Sequence, residues 1–254
     1  MNGDFHPTIL RFDSIDSTNL EAMRQARAGA AEGLCIVARE QTRGRGRLDR
    51  TWHSPKNAGL YFSIILRPQI TLTAWPLLTL MAALAVHDAL IKACDLQSDI
   101  KWPNDICVAD KKLCGILAET VETEVRPAAI IGIGINLNRD ALPVALENAI
   151  TIETLTGTKP DREQVLAELV KAIAERYACL QGDNGVEHTI REWYANSTYA
   201  TGRRVRVSLG DETFEGTTCG LEGDGALRVE TVNGKIRIVR AGDVMALRPT
   251  DKIV

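Results

Sequence analysis

The chain has 254 residues, 45% apolar and 25% charged, with a formal net charge of −3. This is the composition of a globular protein with one large core, or a core plus a small appended unit, and it argues against a basic nucleic-acid-binding surface. No run approaches 18 apolar residues and the N-terminus has no basic–apolar–small signal, so the chain is expected in the cytoplasm with no membrane partner.

Ser17-Thr18-Asn19 precedes a helical stretch over Leu20–Ala28, which Gly29 and Gly33 end. Leu34–Ala38 reads as a short strand, and a second strand is expected at Leu60–Leu66, closed by Pro68. Thr73–Cys94 has apolar residues recurring at three and four and is expected to be one helix. Strands follow at Ile100 to Val108, Leu113–Val121 and Ala128–Asn136, with Lys111-Lys112 taken as the turn between the first two. Helices are expected at Leu142–Ile150, Arg162–Leu180 and Val186–Tyr194. Beyond Thr198 the texture becomes short alternating segments, Arg203–Leu209, Glu212–Leu221, Ala226–Val232 and Lys235–Val239, with Asn233-Gly234 as a hairpin signal. The pattern predicts an α+β fold: a mixed sheet flanked by helices over 1–198, then a small β-barrel over 199–254.

The six cysteines, Cys35, Cys94, Cys107, Cys114, Cys179 and Cys219, are scattered, with no C-x-x-C pair and no His–Cys cluster. Free, mostly buried thiols are expected and no metal site.

Three segments carry candidate chemistry. Residues 39 to 50 hold five arginines against Glu40 and Asp49, and Arg43, Arg45 and Arg47 alternate with Gly44 and Gly46. Glycine admits a ligand close to main-chain N–H groups, and arginine offers a planar fork for phosphate or carboxylate. The loop reads as a clamp for a polyanion; a solvated loop and an RNA tether are the alternatives. In Lys101-Trp102-Pro103-Asn104-Asp105, Ile100 and Trp102 face one side of a strand and Lys101 the other. The pentapeptide alone leaves Lys101 an ordinary surface lysine. In Ala129–Asn136 one face is Ala-Ile-Ile-Ile and the other is Ile130, Gly132, Gly134 and Asn136. A strand face this bare fits either a flat ligand or a close helix contact.

In order along the chain, Ser17-Thr18-Asn19, Gln41 with Gly44-Arg45-Gly46-Arg47, Arg50-x-Trp52, KWPND at 101–105, KLxGIL at 112–117 and GIGINL at 132–137 resemble the motifs of the biotin protein ligases. The likeness covers most of residues 10 to 140. It implies a fold related to class II aminoacyl-tRNA synthetases and lipoate ligases, with an SH3-like C-terminal barrel. It implies that biotin and MgATP give biotinyl-5′-AMP, and that the acyl group then passes to a lysine on the biotin carboxyl carrier protein of acetyl-CoA carboxylase.

By the same resemblance, Lys101 and Arg47 are the catalytic cations. Ser17, Thr18, Asn19, Gln41, Gly44, Arg45, Gly46, Arg47, Lys101 and Gly115 bind biotin. Arg45, Arg47, Arg50, Trp52, Lys101, Gly132, Gly134 and Asn136 bind ATP and the adenylate, with Mg²⁺ on the triphosphate.

Leu48-Asp49 stands where some members have Arg-Gly, so the loop end is less basic and less flexible. The clustered charge predicts that residues 42 to 50 stay mobile until a ligand orders them. The motifs start within 20 residues of the first residue, so no winged-helix domain, DNA partner or repressor function is expected. A homodimer is left open. The rivals are a lipoate or octanoate ligase on the same fold, and a non-catalytic RNA-binding module.

Overall fold

A computed structural model describes residues 7–143 and 146–247 of the chain. A seven-stranded sheet forms its larger part. In chain order its strands are β1 (Thr8–Phe12), β2 (Leu34–Ala38), β3 (Gly59–Leu66), β4 (Asp99–Lys101), β5 (Asp105–Val108), β6 (Lys111–Val121) and β7 (Ala128–Asn136). Their spatial order is β1-β2-β3-β7-β6-β5-β4, with β1 and β2 parallel and every other pair antiparallel. β3 is buried along its whole length, as expected of a central strand read as an unbroken apolar run. Ser63 is its one polar side chain.

Two helical layers cover the sheet. Helix α1 (Thr18–Arg27) lays Ala22 and Ala26 on Ile36, Ile65, Val121, Ala128 and Ile130. The opposite face packs on α2 (Leu77–Cys94), α4 (Arg162–Gln181) and α5 (Gly185–Ala195), with the short α3 (Ile152–Thr156) nearby in sequence to α4. α2 is long and apolar enough to cross a membrane by composition, yet two-thirds of it is buried within the protein. The Arg176 guanidinium joins α4 to Asp88 of α2 at 2.6 Å and to Glu192 of α5 at 3.4 Å.

The terminal part is a five-stranded antiparallel sheet. It comprises β8 (Thr201–Leu209), β9 (Glu212–Leu221), β10 (Leu227–Thr231), β11 (Ile236–Val239) and β12 (Asp243–Ala246), in the order β11-β10-β9-β8-β12. Where a barrel was expected, the ladder has β11 and β12 at its two ends. One apolar core runs through both sheets: Leu77 and Leu84 share it with Val205, Leu227 and Val229. The Trp102 indole N–H donates to the Gly225 carbonyl at 3.0 Å across the junction.

Several elements differ from expectation. The strand candidate from Ile100 to Val108 is two strands, β4 and β5, turned back at the cis Trp102–Pro103 pair and Asn104, where Pro103 interrupts pairing and Asn104-Asp105 favours a turn. The turn after β5 is Ala109-Asp110, both at positive φ, and Lys111 and Lys112 already belong to β6. The expected helix at Thr73 begins instead at Leu77, after a 3₁₀ turn over Leu72–Ala74 and Pro76. The expected helix over Leu142–Ile150 is absent from its described residues, with 144 and 145 outside them. Asn148 and Ile150 instead exchange main-chain hydrogen bonds with Lys112 of β6, at 2.9 and 3.0 Å. β1 and β12 had no sequence counterpart. Truncating Leu84, which is 1% exposed at the centre of α2, is expected to cost about 2–5 kcal/mol of stability. Urea denaturation of Leu84→Ala against the parent chain measures it.

Candidate active site

A cleft of about 460 Å³ lies on the α1 face of the sheet, beyond the start of that helix. The alternation of β7 decides its position. Ala129, Ile131, Ile133 and Ile135 enter the core, and Gly132, Gly134 and Asn136 line the cleft. β6 pairs in register, setting Gly115 opposite Gly134 and Leu117 opposite Gly132. Each glycine has an identifiable neighbour. A Cβ on Gly132 would lie 2.0 Å from Asn19 Oδ1, one on Gly134 2.5 Å from Trp52 Nε1, and one on Gly115 2.9 Å from the Trp52 ring. The bare strip is thus a seat for the Trp52 indole at one end and the Asn19 amide at the other.

The arginine segment is a hairpin rather than a loose loop. Arg45 bridges Thr51, the Gly46 N–H donates to the Arg50 carbonyl at 2.7 Å, and the Trp52 N–H donates to the Gly44 carbonyl at 3.0 Å. Its base is held by N–H donation from Thr42 to the Ile15 carbonyl and from Arg43 to the Asp16 carbonyl, both 2.9 Å. Leu48 and Asp49 form the tip at φ 54° and 57°, a conformation in which a leucine side chain is strained. Gly44 does not line the cleft as expected of a ligand-binding residue. A Cβ there would sit 2.3 Å from the Trp52 carbonyl, so this glycine lets the two limbs of the hairpin approach.

The three cleft arginines take different partners. Arg45 forms a two-pronged ion pair with Glu119 of β6, at 3.0 and 2.9 Å. Arg50 forms a two-pronged pair with Asp243 of β12, so the terminal sheet reaches the hairpin. The Asp243 carboxyl is held below its ordinary pKa chiefly by that hydrogen bond. The pair's contribution is therefore complete above the usual aspartate range and is lost only as pH falls through the lowered value.

Arg47 donates only to neutral oxygens, Asn104 Oδ1 at 3.0 Å and the Gly242 carbonyl at 3.2 Å. Burial presses its pKa down, opposed by the charges of Asp243 and Asp105. Lys101, at the end of β4, lines the same cleft, and no carboxylate pairs with its ammonium among the described residues. Lys112 is engaged: its ammonium is 2.6 Å from Asp105 and 5.4 Å from the Trp52 ring centre. A cleft lined by a desolvated guanidinium and an ammonium without direct counter-ions favours an anionic ligand.

The other wall is polar and uncharged. The Thr18 N–H and hydroxyl lie 2.8 and 3.1 Å from Gln41 Oε1, and Gln41 Nε2 donates to Ser54 Oγ at 2.8 Å. Ser63 Oγ is 2.7 Å from Thr18 Oγ1 and 2.6 Å from Asn19 Oδ1. Ser17, Thr18 and Asn19 are almost fully buried; Ser17 occupies the N-cap position of α1 without a side-chain capping bond. Asn136 lines the cleft while its amide donates to the Ile150 carbonyl at 3.2 Å, anchoring the 148–150 segment.

Every expected site residue except Gly44 therefore lines one cleft. The sequence reading missed Ser63, Asn104, Glu119, Asp243 and the Leu146–Ala149 segment. Ser63 had a signal, as the single polar residue in an apolar strand; Asp243 had none. All six cysteines are free. Burial pushes the Cys35 and Cys107 thiols up to about 12, which removes them as nucleophiles at neutral pH. Among the described residues no group of histidine, cysteine and acidic side chains forms a metal cage. Mg²⁺ bound mainly through substrate phosphates needs none.

Two family models match the chain: the biotin/lipoate A/B protein ligase family over residues 11–136, and the biotin protein ligase C-terminal domain over residues 201–245. The bifunctional ligase/repressor BirA of Bacillus spizizenii is 38% identical over 233 residues, 90% of this chain and 71% of that protein. The biotin–[acetyl-CoA-carboxylase] ligase of Mycobacterium tuberculosis is 32% identical over 238 residues, 91% of this chain and 86% of that protein. Among solved structures, the biotin protein ligase of Aquifex aeolicus in complex with biotin and ATP superimposes with a TM-score of 0.81 at 30% identity, covering 96% of this chain and all of that one. The Leishmania major enzyme in complex with biotinyl-5-AMP gives 0.66 at 26% identity, over 93% of this chain and all of that one. Glycine seat and arginine hairpin thus occur on a chain that these proteins match in sequence or in fold along nearly its whole length, and the chain belongs to the biotin protein ligase family.

Proposed function

We propose that the protein is an ATP-dependent biotin ligase whose cleft joins biotin to AMP and then passes the biotinyl group to a lysine of a biotin carboxyl carrier protein, that of acetyl-CoA carboxylase. The observation that carries this reading is the placement of Arg47 and Lys101 in one cleft with no carboxylate among the described residues paired to either. In the first step a carboxylate oxygen of biotin bonds to the α-phosphorus, and the bond to the β-phosphate oxygen breaks to release pyrophosphate. Two anions must be held together while charge builds on the phosphoryl oxygens. Fixed cations and orientation supply most of the needed stabilisation. In the second step the acceptor amine bonds to the acyl carbon, AMP leaves with the electron pair, and the amine proton passes to solvent.

Lys101 is assigned to the biotin carboxylate and α-phosphate, and Arg47 with the hairpin N–H groups to the forming acyl-phosphate. Arg50 and Asn136 attend the triphosphate of MgATP. Trp52 covers the anhydride or stacks on adenine from its glycine seat. The wall of Ser17, Thr18, Asn19 and Gln41 offers donors and acceptors that suit a ureido ring. An apolar dithiolane or alkyl chain offers such a wall no hydrogen bond, which favours biotin over lipoate or octanoate. The change from one sheet to the other supports a division into a catalytic unit, 1–198, and a terminal unit, 199–254. Six free thiols fit a reducing cytoplasm.

Incubation with ATP, Mg²⁺ and labelled biotin, with and without a carrier domain, tests both steps. Label held as adenylate and then moved to the carrier is the expected result. Lys101→Ala and Arg47→Ala should each lower biotin-dependent pyrophosphate exchange by roughly 10²–10³-fold, the range for loss of one preorganised donor. Gly134→Ala, whose Cβ has to displace Trp52, should reduce exchange at least about tenfold while the circular dichroism spectrum stays unchanged.

A further inference from the structure

Behind the polar, uncharged wall of the cleft stands one carboxylate that the reaction above does not use. Glu119 stands on β6 two residues beyond Leu117, on the same strand face as Gly115, and outside the lining of the cleft. One carboxylate group serves two cleft residues that come from different elements. It takes both prongs of Arg45 on the hairpin, at 3.0 and 2.9 Å, and accepts from Asn19 Nδ2 of α1 at 2.9 Å. The same Asn19 nitrogen lies 3.2 Å from the Leu117 carbonyl.

The hydrogen-bond directions follow from donor counts. A carboxylate only accepts, so Asn19 must turn its NH₂ toward Glu119 and its oxygen toward Ser63. Ser63 Oγ then donates to Asn19 Oδ1 and lies 2.7 Å from the Thr18 hydroxyl, while the Thr18 hydroxyl and N–H both hold Gln41 Oε1. Gln41 continues to Ser54, and Ser54 Oγ donates to the Trp52 carbonyl at 3.1 Å. The series begins at Arg45 on one limb of the hairpin and ends at Trp52 on the other. Its only charged acceptor is Glu119. Tight contact leaves Asn19 little room: its oxygen lies 2.0 Å from where a Cβ on Gly132 would be.

We infer that Glu119 is a positioning residue for the biotin end of the site: its carboxylate fixes the Asn19 amide and holds Arg45 away from the anion-binding cations, so that substrate carboxylate meets Lys101 and Arg47. The inference rests on the ligase reading and deepens it. Glu119→Gln keeps the shape, removes the charge, and puts an amide NH₂ where one of the two carboxylate oxygens met Arg45 or Asn19.

Pyrophosphate exchange by the full chain, with biotin and ATP each varied, separates this role from a general structural one. Glu119→Gln is expected to raise the biotin KM roughly tenfold, the loss of charge-assisted hydrogen bonds, while the ATP KM changes less than about twofold. Adding Glu119→Gln to Arg45→Gln should cost less than the product of the two single effects, since the pair acts as a unit. Unchanged biotin KM, equal shifts in both KM values, or fully multiplicative effects in the double variant would overturn the inference. Where Glu119→Gln melts far below the parent chain, Arg45→Gln alone tests the pair from the exposed hairpin, and a biotin KM unmoved there also overturns it. A parent chain with no biotin-dependent exchange would remove the ligase reading itself, and the role with it.

Discussion

The constraint on which the site depends is electrostatic: a carboxylate and a polyphosphate repel each other, and a protein that joins them must keep positive charge free for them. Cations near acidic side chains pair off unless the fold prevents it. Here Arg45, Arg50 and Lys112 are paired with Glu119, Asp243 and Asp105. Arg47 is committed only to neutral oxygens, and Lys101 projects from the cleft side of a strand whose other side, Ile100 and Trp102, is core. Three carboxylates thus pair with three cations, and among the described residues Arg47 and Lys101 are left without a carboxylate partner. An anion arriving between Arg47 and Lys101 relieves a desolvated charge instead of displacing an existing partner.

Close approach of backbone is the second requirement, and it is met by sheet register. Gly115 and Gly134 are directly paired, so β6 and β7 together present a flat area one indole wide. Any side chain at either position would lift Trp52. Gly132, one pleat along, does the same for Asn19. The apolar half of β7 meanwhile anchors the strand in the core, so the bare half is held rigid by residues that never face the ligand.

The hairpin links the two parts of the molecule. Its base is tied to the chain before α1, its inner limb to β6 through Glu119, and its outer side to Gly242 and Asp243 of the terminal sheet. The shared apolar core and the Trp102–Gly225 bond fix the terminal sheet against the seven-stranded one, so Asp243 reaches the hairpin from a packed support. Surface pairs such as Arg50–Asp243 add little stability by themselves. Their effect is to decide where a guanidinium points.

Local pattern was enough for much of this. The alternation in Ala129–Asn136 told core face from bare face, the apolar runs located β2, β3, α2 and α4, and the ordered motifs located the cleft residues, because each depends on neighbours a few positions apart. Tertiary structure decided the rest. The 142–150 segment has helical spacing but spends its main-chain groups on Lys112, a partner more than thirty residues away that no local propensity reports. β1 and β12 are short edge strands whose pairing partners, not their own residues, make them strands. The sequence presents five arginines as one clamp; only folding assigns Arg45, Arg47 and Arg50 their acceptors, because pairing depends on distances of about 3 Å between residues up to 193 positions apart in the Arg50–Asp243 pair.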